Sequence, residues 1–520
     1  MAQQSRRDFF ARVGAGMVAA SVGSNLANDM GFSTAFAADG DDRLSFGRLD
    51  TLVNLMQETP ANRLLATLNE RLRAGIELRE LVAAGALANS RKFGGEDYVG
   101  FHTLMAMAPA FHMSSELPAA RRALPVFKVL YRNTNRIQEA GGRKNEVLHA
   151  VQATAVPQGR NSAELLREQV RARNAEQAEQ TFAAIAQGSP EDAFNAALWA
   201  VQDATEVHRT VLPYRAWDLL PVVGREQALT MLRNSVRYCL KSERNEDYVR
   251  RLQPVRAMLP RLLDEHRQVS RPLGTRNMDD AWVEQFSQTL FRANPQQAAA
   301  AAAAALAEGI APSAIGEALS LAANQLVLRD HGRPANQTSP NRGLGSCHGD
   351  SIGVHGCDSA NAWRNMSRLG NQRNQAACLI LGCYQLALDR SERGGDFLNW
   401  EPYPYAEARE RVTSREQPAL LREAEDAIRA RDQMRASAVV HRYGEQGHAS
   451  RPMWDLLLKY AVSEDGALHA EKYYRTTSEE YAANRAAFRW RQVVALARVT
   501  ASAYGQPAPG YEEACRLVQA

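Results

Sequence analysis

Apolar residues recur along this chain at the intervals of an α-helix. Within residues 60–87 five apolar residues stand three to five positions apart, with Arg and Glu between them: Leu65, Leu68, Leu72, Ile76 and Leu81. Further along, Ser189 is followed by proline and two carboxylates, which is the sequence of a helix N-cap, first position and first turn. The pattern therefore predicts one amphipathic helix over 60–87 and another that begins at Ser189.

Two more segments favour helix, and almost nothing favours strand. Residues 296–306 are rich in alanine, the best helix former, and Thr477-x-x-Glu480 has the form of a capping box. Period-two runs and hairpin turn signals are scarce. We therefore expect an all-α, multi-helical body over 38–520, with a possible sub-boundary in the Gly/Pro-rich loop 329–358.

Histidines and tryptophans recur at related spacings, which indicates a helical repeat. His208 precedes Trp217 by nine positions, and His355 precedes Trp363 by eight. A third segment starts at His448, and a weaker one near His102. Repeats wound around one axis would aim these histidines at a common centre. The alternative is a chance match in a Leu- and Ala-rich chain, since no fixed period emerges.

Composition excludes several classes of protein. The 520 residues are 45% hydrophobic and 23% charged, with a net charge of +4, as in an ordinary globular protein. This balance argues against general binding to nucleic acid or to anionic membranes. The mature chain lacks an apolar run long enough to predict a stable membrane span. The sequence also contains no motif typical of a nucleotide-binding loop or of a zinc-protease helix.

The first 37 residues carry a candidate export signal. Arg6 and Arg7 stand in Ser-Arg-Arg-Asp-Phe-Phe, followed by a weakly apolar stretch and the small-residue site Ala-Phe-Ala at 35–37. This arrangement resembles the twin-arginine signal peptides of bacteria, with Phe10 in place of the usual leucine. The resemblance implies export of a folded chain by the twin-arginine machinery, a periplasmic or otherwise exported location, and a raised chance of a bound cofactor.

The loop 347–358 concentrates candidate chemistry, with two His, two Cys and two Asp in twelve residues. Imidazole binds transition metals, and a nearby carboxylate fixes the tautomer of a histidine ligand. We predict a transition metal site, although the sequence does not identify the ion, and Asp350 or Asp358 as the orienting carboxylate. His469, within a helical pattern, is expected to be an ordinary residue. The predicted ligands, which can also act as acid and base, are His348, His355, His208, His102 and His448.

The same loop allows other interpretations. Cys347 and Cys357 are the favoured disulfide pair if the protein is exported. A bridge between them would close a surface loop. Gly349-Asp350-Ser351-Ile352-Gly353 matches G-x-S-x-G, so Ser351 is a candidate hydrolase nucleophile. Our leading hypothesis is an exported metal- or cofactor-dependent oxidoreductase that acts on a small molecule. The competing hypothesis is a helical-repeat scaffold without catalysis, which predicts a broad groove and no convergent polar site.

Overall fold

The computed structural model describes residues 43–392 and 394–519. These residues form helices and loops, with isolated bridges but no β-strand among them, which confirms the predicted all-α class. In chain order the helices are α1 (Asp50–Glu58), α2 (Ala61–Arg73), α3 (Leu78–Phe93), α4 (Tyr98–Glu116), α5 (Leu124–Glu139), α6 (Ser162–Arg171), α7 (Ala175–Ala186), α8 (Pro190–Val201), α9 (Val207–Asp218), α10 (Leu220–Val223), α11 (Ala228–Ser242), α12 (Glu246–Glu265), α13 (Asp280–Arg292), α14 (Pro295–Ala307), α15 (Pro312–Arg329), α16 (Ile352–Leu369), α17 (Gln372–Glu392), α18 (Ala406–Glu410), α19 (Gln417–Arg429), α20 (Gln433–Glu445), α21 (Ser450–Ser463), α22 (Ala470–Ala483), α23 (Trp490–Ala503) and α24 (Tyr511–Gln519).

Four helices form a closed ring at the centre of the body. Helix α4 packs against α9, α9 against α16, α16 against α22, and α22 against α4. Their residues are buried on nearly every side, as expected for helices surrounded by other helices. A closed ring gives the body a central axis onto which each inner helix turns one face.

Each inner helix is packed between a preceding and a following helix. The four units are α3–α4–α5, α8–α9–α11, α15–α16–α17 and α21–α22–α23. His208 and His355 occupy the first turns of the inner helices of two units, rather than the loops before them. His448 lies before α21, outside the ring, so the third predicted segment is displaced by one helix.

The helix starts follow the predicted signals only in part. The Ser189 side chain caps α8 in a capping box with Asp192, and α14 covers the alanine-rich run. The segment 60–87 forms two helices rather than one, because the chain turns at Gly75, whose φ is +93°. Thr477 lies inside α22, where its hydroxyl donates to the carbonyls of Tyr473 and Tyr474, so the predicted capping box there is wrong.

The two ends of the described chain meet. Helix α24 packs against α2 and α5, and Asn69 Nδ2 donates to the Leu517 carbonyl at 3.2 Å. Among the described residues, no helix has both the length and the apolar character needed to cross a membrane. The predicted signal at 1–37 lies outside the described residues.

Candidate functional site

Four histidines meet on the central axis, one from each inner helix. His102 lies in α4, His208 in α9 and His355 in α16, while His469 immediately precedes α22. Their exposed fractions are 0%, 5%, 4% and 1%. Taken in that order, neighbouring ring centroids are 4.7, 5.6, 5.0 and 5.3 Å apart, which closes a four-sided cluster. We call these residues the histidine ring.

All four histidines lie within the first five positions of an inner helix or just before it. The inner helices therefore begin at the same end of the molecule and run parallel to one another. Because side chains tilt towards the N-terminus of a helix, the imidazoles project past the helix ends towards the axis. This shared geometry lets four separate segments of the chain reach one point.

The Nε2 atoms of the histidine ring face one another in two pairs. His208 Nε2 lies 3.2 Å from His102 Nε2, and His355 Nε2 lies 2.9 Å from His469 Nε2. Within residues 43–392 and 394–519, no three His, Cys, Asp or Glu side chains are already grouped to hold a metal ion. The donor atoms thus stand as two close pairs rather than around one point.

Glu206 fixes the orientation of His208. Its Oε1 accepts from His208 Nδ1 at 2.6 Å, and its Oε2 accepts from the Tyr238 hydroxyl at 2.7 Å. Burial opposes its ionisation, but His208 and Tyr238 together lower the pKa of Glu206 to about 2. As a carboxylate, Glu206 can only accept hydrogen bonds, so His208 Nδ1 carries the proton and Nε2 keeps its lone pair.

His102 is held in the same tautomer by the backbone. Its Nδ1 lies 2.7 Å from the Tyr98 carbonyl oxygen, which can only accept. In their neutral forms His102 and His208 therefore aim two lone pairs at each other across 3.2 Å. Such a contact is stable only with a proton or another cation between the nitrogens. Burial, and then the charge of Lys472, hold the pKa of His102 well below its usual value.

A small pocket reaches the histidine ring from one side. Its lining includes His469, Tyr473 and Val354 from the inner helices, and His348 from the loop before α16. Its volume of about 30 Å³ matches about one water molecule. This approach therefore admits only water-sized molecules without movement of the surrounding side chains.

His348 lies at this pocket but outside the histidine ring. Its Nδ1 lies 2.9 Å from Ser502 Oγ, and its Nε2 lies 3.0 Å from the Asn341 carbonyl oxygen. Burial and the neighbouring Arg333 lower the pKa of His348 to about 4. The structure thus engages both ring nitrogens of His348, one with α23 and one within its own loop, next to the pocket rather than in the cluster.

The acidic and hydroxyl residues of the predicted site stabilise the loop. Asp350 forms ion pairs with Arg333 and Arg342, and these cations hold its pKa below the usual range despite its burial. Ser351 caps α16, accepting from Val354 N at 3.3 Å and donating to the Cys347 carbonyl at 2.7 Å. The Gly-x-Ser-x-Gly sequence is therefore the start of a helix.

The predicted disulfide is wrong, because Cys347 and Cys357 are both free and buried. Cys347 Sγ donates to Gln433 Oε1 at 3.2 Å, towards α20. Cys357 Sγ donates to the Ala323 carbonyl at 3.4 Å, towards α15. The two thiols face different helices, so the loop is held by hydrogen bonds and ion pairs instead of a bridge.

The remaining predicted residues lie at different depths. His448 is partly exposed, and its Nε2 donates to the Arg415 carbonyl at 2.7 Å. Asp358 is buried one turn after His355, where it accepts from Thr476 Oγ1 at 2.7 Å. The sequence predictions thus placed three members of the histidine ring together and missed the fourth.

Sequence reasoning missed His469 and Glu206. One available signal for His469 was a charged residue three positions later: Lys472 follows His469 as Asp358 follows His355. Glu206 stands two residues before His208, a spacing that lets an N-cap carboxylate reach the imidazole of the first turn.

No protein-family model, curated protein or solved structure matches this chain.

Proposed function

We propose that the histidine ring binds one transition metal ion and that the protein is a metal-dependent oxidoreductase. The observation that carries this proposal is the convergence of His102, His208, His355 and His469 from four inner helices, with their Nε2 atoms in contact in two pairs. Imidazole is a good ligand for copper, iron, zinc and nickel. A bound redox-active ion would supply one-electron exchange with a small substrate.

The spacing of the rings fits a single ion. Two nitrogens that bind one ion at about 2.1 Å lie about 2.9 to 3.4 Å apart for angles of about 90° to 110°. The observed pairs are 3.2 and 2.9 Å apart. Ring centroids around such an ion are about 4.5 to 5.2 Å apart, against 4.7 to 5.6 Å here. Binding one ion therefore requires the two pairs to move together until all four nitrogens reach one point.

The surrounding residues orient the ligands and exclude water. Glu206 and the Tyr98 carbonyl accept from the Nδ1 atoms of His208 and His102, which leaves both Nε2 lone pairs available. A cation between those nitrogens would turn a repulsive contact into two ligand bonds. Burial of all four imidazoles keeps bulk water from the centre, and the pocket beside His469 limits access to small molecules.

The competing hypotheses receive less support. A scaffold without catalysis predicts no convergent polar site, whereas four buried histidines converge here. The hydroxyl of Ser351, the proposed hydrolase nucleophile, serves as a helix cap. Export by the twin-arginine route remains part of the proposal, because the sequence of residues 1–37 supports it and folded export suits a protein that acquires a metal beforehand.

Spectroscopy of the metal-loaded protein tests the proposal. The metal-free protein is loaded with Cu(II), and electron paramagnetic resonance is expected to show one copper with nitrogen ligands. Reduction should remove the signal, and a small oxidant such as dioxygen or peroxide should restore it. His355→Ala should lose the site, while His448→Ala, a histidine outside the ring, should keep it. Binding of zinc alone, or a copper signal unaffected by His355→Ala, would contradict the proposal.

A further inference from the structure

The small pocket beside the histidine ring has mainly apolar walls. They come from the loop and first turn of α16, the region between α21 and α22, and α23. The pocket also reaches His469, a member of the histidine ring. Its apolar lining residues are Val354, Ala461, Ala470, Leu496, Val499 and Ala503. A molecule in this pocket therefore meets hydrocarbon on most sides and the proposed metal site at one point.

Three polar side chains of the lining are directed to other groups of the protein. The Tyr460 hydroxyl donates to Glu425 Oε1 at 3.1 Å, and Glu464 Oε2 accepts from the Gln506 backbone N–H at 2.7 Å. Both ring nitrogens of His348 are engaged as described above. A water molecule is held in a cavity by about two to four polar partners. The pocket therefore favours a small, uncharged and apolar molecule over an ion.

Tyr473 also lines the pocket, and its hydroxyl differs from these groups. The residue is 1% exposed, and among the described residues its hydroxyl oxygen has no hydrogen-bond partner. The Cys357 thiol is a neighbour, but it donates to the Ala323 carbonyl, and sulfur is a weak acceptor. Burial and Cys357 hold the pKa of Tyr473 well above its usual value, so the phenol keeps its proton. Because nearly all buried polar groups have a partner, this donor indicates a ligand.

The pocket and the proposed metal site share His469. His469 and Tyr473 line the same pocket, so a molecule bound there lies next to both. An ion held by four nitrogens in a four-sided arrangement keeps positions open on either side of that plane. At iron centres, the hydrogen-bond donors and the steric access of the adjoining pocket decide how dioxygen binds. The pocket provides both features, a single donor and a narrow space.

We propose that this pocket is the dioxygen site of the protein and that the Tyr473 hydroxyl donates a hydrogen bond to the bound gas. This inference rests on the proposed metal site and deepens it, because it names the oxidant. Dioxygen is uncharged and apolar, as the walls require, and its two heavy atoms suit a pocket of about 30 Å³. Carbon monoxide is a suitable probe, because it is also diatomic and binds reduced copper without being consumed.

Infrared spectroscopy of carbon monoxide on the Cu(I)-loaded protein tests the role of Tyr473. A hydrogen bond to the bound molecule lowers its stretching frequency, and loss of one neutral hydrogen bond weakens binding by about 2- to 12-fold. We expect Tyr473→Phe to raise the frequency and to raise the Kd of carbon monoxide by that factor. Tyr474→Phe is the control, because Tyr474 is also buried but its hydroxyl donates to Glu116 Oε2 at 2.8 Å. It should leave both values unchanged.

The melting temperature of the metal-free protein gives a second readout. Removing a buried hydroxyl that has no partner should leave the melting temperature of Tyr473→Phe equal to or above that of wild type, whereas Tyr474→Phe should lower it. A loss in Tyr473→Phe as large as that in Tyr474→Phe would overturn the inference, because the Tyr473 hydroxyl would then have a partner within the protein.

The outcomes separate this inference from the metal proposal. Failure of the wild-type protein to bind copper overturns the proposed metal site, and the dioxygen site with it. Normal copper binding without binding of carbon monoxide overturns only the dioxygen site. Normal copper binding, with the same frequency and Kd of carbon monoxide in Tyr473→Phe and in wild type, overturns only the role of Tyr473.

Discussion

Glu206 combines two roles at the residue scale. Its carboxylate caps α9 by accepting from the backbone N–H groups of His208 and Arg209, and it also orients the His208 imidazole. Residues that orient a metal-binding histidine change metal affinity by about 10- to 100-fold when they are substituted. We expect Glu206→Gln to weaken copper binding by that factor, measured by competition with a chelator.

A second capping carboxylate provides the matched control. Asp97 caps α4 and forms an ion pair with Arg136. Asp97→Asn should therefore lower the melting temperature while leaving copper affinity close to wild type. If the two substitutions weakened copper binding equally, Glu206 would act through helix stability rather than through His208.

The buried amine of Lys472 predicts a pH-dependent stability in the metal-free protein. Burial lowers its pKa from 10.5 to about 8. The charged form is therefore penalised in the folded state below pH 8, and the penalty is relieved as the pH rises from about 8 to 10.5. Since one pKa unit corresponds to about 1.4 kcal/mol, the penalty is roughly 3 kcal/mol.

Comparison with an apolar variant isolates that penalty. Relative to Lys472→Met, the free energy of unfolding of the wild type should be lower at pH 7, and the difference should shrink by a few kcal/mol towards pH 10.5. Urea titrations at several pH values measure it. A difference that does not vary with pH would mean that Lys472 is stably paired in the folded protein.

Residue patterns predicted part of the site. His102, His208 and His355 were identifiable because recurring His–Trp spacings marked equivalent helices. His469 was not, since it lies between a short 3-10 turn and α22 without a tryptophan at the matching distance. His348 lies outside the histidine ring, because proximity in sequence to His355 does not give proximity in space when a helix start lies between them.

At the scale of elements, two glycines let α16 lie close against α15. A Cβ on Gly353 would come within 2.7 Å of the Val327 backbone, and one on Gly356 within 2.6 Å of Leu326 Cδ1. His355 lies between these glycines, so the close packing of the helices fixes its position. The sequence shows several glycines in this region, but it does not show that two of them allow α16 to pack closely against α15.

Gly353→Ala should therefore displace α16 and His355. We expect a loss of about 1 to 3 kcal/mol in the free energy of unfolding, as for overpacking of a core, together with weaker copper binding. Gly343→Ala is the control, because a Cβ there meets no atom within 4 Å and the backbone is not left-handed. Chemical denaturation measures the free energy of unfolding of both variants. Comparable losses in the two would exclude close helix packing as the reason for a glycine at Gly353.

Helix boundaries were predictable where local chemistry alone decides them. Ser189 caps α8 because its hydroxyl accepts from the nearby Asp192 N and proline follows it. Thr477 failed as a cap because α22 already begins at Ala470, where packing within the inner ring determines its start. Packing against distant segments, which a single sequence does not display, decides such boundaries.

At the scale of the whole molecule, the closed ring connects folding with the proposed site. The four members of the histidine ring are separated by 100 or more residues, so the donor set exists only after all four inner helices have assembled. The all-α class followed from periodicity. The ring closure did not, because it depends on contacts between units whose spacings are irregular.

The proposed export of the assembled protein gives a further prediction. Substituting Arg6 and Arg7 by lysine should leave the protein in the cytoplasm, because the paired arginines define the resemblance to twin-arginine signals. Cell fractionation followed by immunoblotting measures this, with Arg12→Lys as the control in the same segment. Unchanged export of the double variant would contradict the assignment of the signal.

The most direct test of the account is the metal content of the purified protein and of two single-histidine variants. The account predicts about one metal ion per chain in the wild type and in His348→Ala, whose imidazole lies outside the ring. It predicts loss of that metal in His469→Ala, the member of the ring that is farthest from the candidate loop in sequence. Full metal content in His469→Ala, or a loss confined to His348→Ala, would contradict a centre built by four inner helices.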